Sequence, residues 1–100
     1  MAKMTKKSSG SVFQDLGFPV EEAENLRIRA DLMIEISKII EARRLTQTAA
    51  AKLFGVTQPR VSDLVRGKID LFSVDSLIAM LGTAGVRVHV TTKRRRARVA

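Results

Sequence analysis

One hundred residues suffice for a single domain with a small core, and the lack of cysteine excludes a disulfide framework and any thiolate metal site, as suits a reducing cytoplasm. No apolar run approaches the ~18 residues of a membrane span, and the N-terminus lacks the apolar core of a signal peptide, so a soluble cytoplasmic protein is expected. The net charge is +8, yet Lys3, Lys6, Lys7, Lys93, Arg94, Arg95, Arg96 and Arg98 account for all of it, because the other ten basic residues balance ten acidic ones.

Residues 1–11 are polar and aperiodic and read as a disordered basic arm. A single domain is expected over 12–92. Phe13, Leu16 and Phe18 cluster around the turn residue Gly17. Together with Phe54 and Phe72, the two phenylalanines read as core plugs rather than base-stacking platforms, since no Tyr or Trp accompanies them. Pro19 can open a helix, and Glu21, Glu22 and Glu24 favour its positive end. Leu26, Ala30, Met33, Ile36 and Ile40 then recur at helical spacing, widened by Leu32 and Ile39, to about Arg44. The span is long for one globular helix, which leaves open whether it runs continuously or kinks or breaks near Arg29–Asp31. Arg43 and Arg44 suit the negative end of this helix, or a phosphate.

Leu45 to Gly67, LTQTAAAKLFGVTQPRVSDLVRG, reads as one helix-turn-helix. Thr46 can cap the first helix, and Ala51 is small where a second helix must approach. Gly55 follows the last helical residue, Phe54, and can take the left-handed conformation of a helix stop. Thr57 then caps the second helix, with Pro59 in its first turn, where a missing N–H costs nothing. Val61, Leu64 and Val65 turn back toward Ala51 and Leu53, leaving Gln58, Pro59, Ser62, Asp63 and Arg66 on the outer face. A polar face of that kind is what enters a DNA major groove.

Gly67 to Asp70 is a loop, and Ser73 caps a final helix over 74–82 that turns Leu77, Ile78 and Leu81 to the core. From Gly85 to Thr91 the chain alternates strictly between valines and polar residues, which predicts a strand. A lone strand cannot satisfy its backbone or cover Val86, Val88 and Val90. The same strand from a second copy, paired antiparallel about a two-fold axis, meets both needs and predicts a homodimer. Residues 93–100 read as a disordered basic tail, suited either to solubility or to phosphate contact.

Catalysis has no visible apparatus. His89 is the sole histidine and lacks a second metal ligand, while the serines and aspartates sit at caps and on helix faces without a base partner. The six glycines are scattered singly, so there is no phosphate-cradling loop; no enzyme, cofactor or metal is expected. DNA recognition is expected through Thr57, Gln58, Pro59, Ser62 and Asp63 at base edges. Gln47, Arg60, Arg66 and Lys68 are expected on phosphates, aided by the N-terminus of the helix that Thr46 opens.

The pattern Gln47, Ala51, Gly55, Val61, Leu64, Gly67 resembles the XRE family of phage-repressor and Cro-type regulators. With FxDLGF at Phe13–Phe18, RRLTQ at Arg43–Gln47, TQPRVSDLVRGKID at Thr57–Asp70 and FSVDSLIAML at Phe72–Leu81, it also resembles the HigA-like antitoxins of toxin–antitoxin pairs. The resemblance implies an all-α, λ-repressor-like bundle, here of about five helices with a short C-terminal β-strand. It further implies an operon-autoregulating repressor on a palindromic operator in double-stranded DNA, with a RelE- or HigB-like toxin as partner. The apolar and acidic stretch from Phe13 to Glu24 would suit a small basic toxin. A stand-alone repressor, or a protein-interaction module that has kept the fold, satisfies the same residues.

Overall fold

The computed structural model describes residues 16–94 and orders them as α1 (Val20–Ala42), α2 (Gln47–Phe54), α3 (Gln58–Val65), a single 3-10 turn at Ile69–Leu71, and α4 (Val74–Thr83). The arm expected at 1–11, Phe13, and all of the basic tail but Lys93 and Arg94 lie outside the described residues.

Four helices replace the expected five, because α1 runs unbroken through Arg29–Asp31. No glycine or proline interrupts its 23 residues. Arg27 bridges to Glu24 at 3.0 Å and to Asp31 at 3.2 Å, and the Arg29 Nε donates to Asn25 Oδ1 at 2.7 Å, so side chains span the place where a break was open. Such surface pairs contribute little singly. Burial of Leu26, Met33 and Ile36 supplies the larger reason. The helix ends at Ala42 rather than Arg44. Arg44 adopts a left-handed φ of 52°, and the Leu45 N–H donates to the Ile40 carbonyl at 3.0 Å, closing a glycine-type cap without a glycine.

The caps of α2 and α4 follow the sequence. Thr46 Oγ1 accepts from the Ala49 N–H at 3.0 Å, and Gly55 takes φ 70°. Ser73 and Ser76 cap reciprocally, each side-chain oxygen accepting the other's backbone N–H at 3.0 Å. Thr57 occupies the cap position of α3, but its side chain makes no cap hydrogen bond, contrary to expectation. The Thr57 carbonyl starts the helix by accepting from the Arg60 and Val61 N–H groups at 3.1 and 3.2 Å.

All four helices meet in one core. Met33 and Ile36 of α1, Ala50, Ala51 and Phe54 of α2, Val61 and Leu64 of α3, and Leu77, Met80 and Leu81 of α4 are buried around Phe72. Full burial of a Leu, Ile or Phe contributes roughly 1.5–3 kcal/mol, so this cluster dominates the fold's stability. No polar or charged side chain is buried among the described residues, and none of their helices is long and apolar enough to cross a membrane. Phe54 and Phe72 are core plugs as expected, whereas Phe18 stays on the rim. Val65 is also half-exposed: it ends α3 beside Ala30, Met33 and Ile34, in an open groove rather than against Ala51.

The expected strand does not form. Residues 86–94 belong to no helix or strand. Among the described residues no extended segment is present to pair with them, and an unpaired strand has nowhere to place its backbone hydrogen bonds. The Val86 N–H turns back to the Leu81 carbonyl at 2.9 Å, which closes the end of α4 with Gly85 at φ 85°. Val86 and Val88 then lean on the protein's own core. Val90 remains 71% exposed.

Candidate nucleic-acid interface

α2 and α3 pack against each other with their small and branched residues inward, and this places one polar surface outward. In α3, Val61 and Leu64 are 1% and 2% exposed, so the helix cannot rotate without uncovering them. Its opposite side carries Gln58, Pro59, Ser62, Asp63 and Arg66, which the i, i+4 pairs 58/62, 59/63 and 62/66 align on one face. Thr57, Gln58 and Pro59 are exposed, while Ser62 and Asp63 are half-buried. Four of the five expected base readers therefore share one face at the start and middle of α3, and the fifth, Thr57, is exposed at the cap position just before it.

The turn before α3 is fixed by contact as well as by backbone conformation. A Cβ at Gly55 would lie 3.1 Å from Thr83 Cγ2, so the end of α4 packs directly on the turn. Across the same turn the Thr48 hydroxyl faces Gln58 Oε1 at 3.5 Å, a long and weak hydrogen bond. Thr48 was not singled out by the sequence, where Gln47 beside it drew the polar reading.

Comparison with known proteins shows which family carries this arrangement of helices. Residues 12–93 match a family described as a helix-turn-helix domain. A solved structure described as an XRE family transcriptional regulator matches with a TM-score of 0.69 and 35% sequence identity, over 79% of this chain and 90% of that one. The chain belongs to the XRE family. No curated protein matches it. The helix-turn-helix match runs past α4 and includes the segment holding Val86, Val88 and Val90.

The residues expected on phosphates take more varied positions on this XRE domain. Gln47 opens α2 and is half-buried; Arg66 caps the end of α3 and is exposed. Lys68 lies 3.9 Å from Asp63 Oδ1, with the lysine side chain about half exposed. The pair sits at the edge of the outer face of α3. Arg60 is different. Its Nη1 donates to the Leu71 carbonyl at 2.7 Å, and its guanidinium carbon lies 4.1 Å from the centre of the Phe72 ring. From the other side of the same loop, Arg29 Nη1 donates to the Ile69 and Phe72 carbonyls at 3.2 and 3.3 Å. Sequence reading passed over Arg29, because its only legible neighbour is Asn25 one turn away and its loop partners lie forty and more residues on.

Proposed function

We propose that the chain is a sequence-specific DNA-binding repressor that reads base edges with Thr57, Gln58, Pro59, Ser62 and Asp63. The observation that carries this reading is the α3 surface: its apolar side is locked into the core, and its outer side offers an aligned set of short donors and acceptors. Gln58, first in the helix, suits an adenine edge, and Asp63 suits a cytosine amino group. Pro59 offers apolar contact to a thymine methyl. Gln47, Arg66 and Lys68 keep the phosphate role, Gln47 together with the N-terminus of the α2 helix that it opens. Arg60, expected with them, instead has its guanidinium on the Leu71 carbonyl and the Phe72 ring. Selection of bound duplexes from a randomised pool tests the reading: an enriched palindrome supports it, and a pool that stays random contradicts it.

A homodimer supports such a palindrome. Val90 is exposed, and beyond Val86 the segment makes no main-chain hydrogen bond to the rest of the described chain. Pairing of residues 86–90 with the same segment of a second copy would give both their partners, and would set two recognition helices about 34 Å apart. An operon-autoregulating antitoxin is the second reading. Leu16, Phe18 and Val20 are exposed at the start of α1 beside Glu21, Glu22 and Glu24, an apolar and acidic face suited to a small basic protein such as a RelE- or HigB-like toxin. Co-purification with the product of a short, basic neighbouring gene is the outcome it requires; a gene that stands alone leaves the simple repressor.

A further inference from the structure

We infer that Arg60 and Arg29 are positioning residues that set the recognition helix against its loop, an inference that rests on the DNA-binding reading. Residues 69–72 are held from two sides. Arg29, on α1, takes the Ile69 and Phe72 carbonyls, and Arg60, on α3, takes the Leu71 carbonyl while covering the Phe72 ring. Phe72 itself is 2% exposed and anchors the loop in the core. The three parts form a bracket that runs from α1 through the loop to the first turn of α3.

Its position explains why it matters for DNA. Arg60 is the third residue of α3, directly after Gln58 and Pro59 and one turn before Asp63. An eight-residue helix gives the core only Val61 and Leu64 to grip, which fixes its rotation better than its tilt. The Arg60 tie adds a third point of attachment off that line, on the side of the loop. A base-reading side chain must be held within roughly half an ångström and 10–20° of its working geometry, so loss of this point loosens every reader on the face. Arg29 acts at one remove, by holding the loop to which Arg60 is tied.

Phosphate contact by Arg60 predicts something different. A guanidinium has five N–H donors, and the bond to Leu71 leaves donors for a phosphate. The two roles separate on salt, sequence and chemistry. Each lost phosphate contact flattens the slope of log K against log salt by about 0.9 and weakens all duplexes alike. A lysine replaces a phosphate-binding arginine as a point charge, but it lacks the planar fork that stacks on a ring while bonding a carbonyl.

The experiment titrates the full chain and its R60A, R60K and R29A variants, plus the double variant R29A/R60A, onto a selected duplex and a random duplex across a salt series. Circular dichroism fixes the folded fraction of each protein first. Positioning predicts that R60A and R60K both lose about tenfold on the selected duplex and less than twofold on the random one, with the salt slope unchanged. R29A loses in the same pattern, and the double variant falls short of the product of the singles because both act through one loop. R60K is the decisive protein if the alanine variant does not fold. A flattened slope with recovery in R60K makes Arg60 a phosphate contact and overturns the inference. Unchanged affinities in folded variants overturn it too, since a purely structural tie leaves both duplexes unaffected. Failure of the DNA reading itself is recognised separately, as a parent chain that binds neither duplex.

Discussion

Between Thr46 and Val65 nearly every change of backbone direction has a local cause: a threonine hydroxyl on the Ala49 N–H, a left-handed glycine at 55, and a helix start at Thr57 with Pro59 behind it. After Gly85 the chain has one local cause, the glycine turn itself, and then six valine and polar residues whose pattern is equally regular but whose backbone takes no regular form. The difference lies in where the hydrogen bonds go. A helix closes its bonds within a few residues, so sequence periodicity is enough to build it. A strand borrows its bonds from another segment, so the same clarity of pattern decides only which side chains face which way. Val86 and Val88 are half-buried and Arg87 and His89 exposed, as the alternation predicts, but Val90 is exposed too and no strand is present among the described residues.

The contrast can be broken most forcefully in the core that the first region depends on. Phe54 is 1% exposed and joins α2 to the remaining helices, so Phe54→Ala is expected to cost about 3–5 kcal/mol, read as a lowered midpoint in urea unfolding. Retention of the midpoint would mean that α2 does not rest on this core. The two left-handed glycines give a finer comparison. Gly55→Ala adds a Cβ 3.1 Å from Thr83 on top of a backbone cost of about 1–2 kcal/mol, whereas at Gly85 nothing lies within 4 Å. Gly85→Ala should therefore cost only the backbone part, and the excess at Gly55 measures how tightly α4 closes on the turn. Equal losses at both sites would show that Thr83 simply moves aside. The smallest effect on the fold is expected at Val90, whose side chain is exposed: Val90→Glu should change stability by less than about 0.5 kcal/mol. The same variant should sediment as a monomer if residues 86–90 pair with a second copy. A Val90→Glu dimer would place the seam elsewhere.

Much of the fold was legible because its determinants are short-range. Thr46, Gly55, Ser73 and the apolar spacing of α1, α3 and α4 each act within a turn or two of themselves. The continuity of α1 was not, because length alone argued for a break while no residue in the span enforces one. The end of α1 was equally hidden, since an arginine holds the left-handed position at 44 that glycine or asparagine would have announced. In the candidate site, the outer face of α3 follows from the two buried positions opposite it. The roles of Arg29 and Arg60 do not, because their partners are backbone carbonyls eleven to forty-three residues away, and a carbonyl carries no sequence signature.

The proposal that the outer face of α3 reads bases is tested most directly at Gln58, which is exposed, leads the helix and accepts only a long bond from Thr48 among the described residues. Fluorescence anisotropy of Gln58→Ala on the selected duplex and on random DNA of the same length isolates its contribution. A loss of roughly 1–3 kcal/mol on the selected duplex, with relaxed preference at a single base pair and unchanged affinity for random DNA, is the predicted result. Equal losses on both duplexes, or none on either, would contradict base reading by this face.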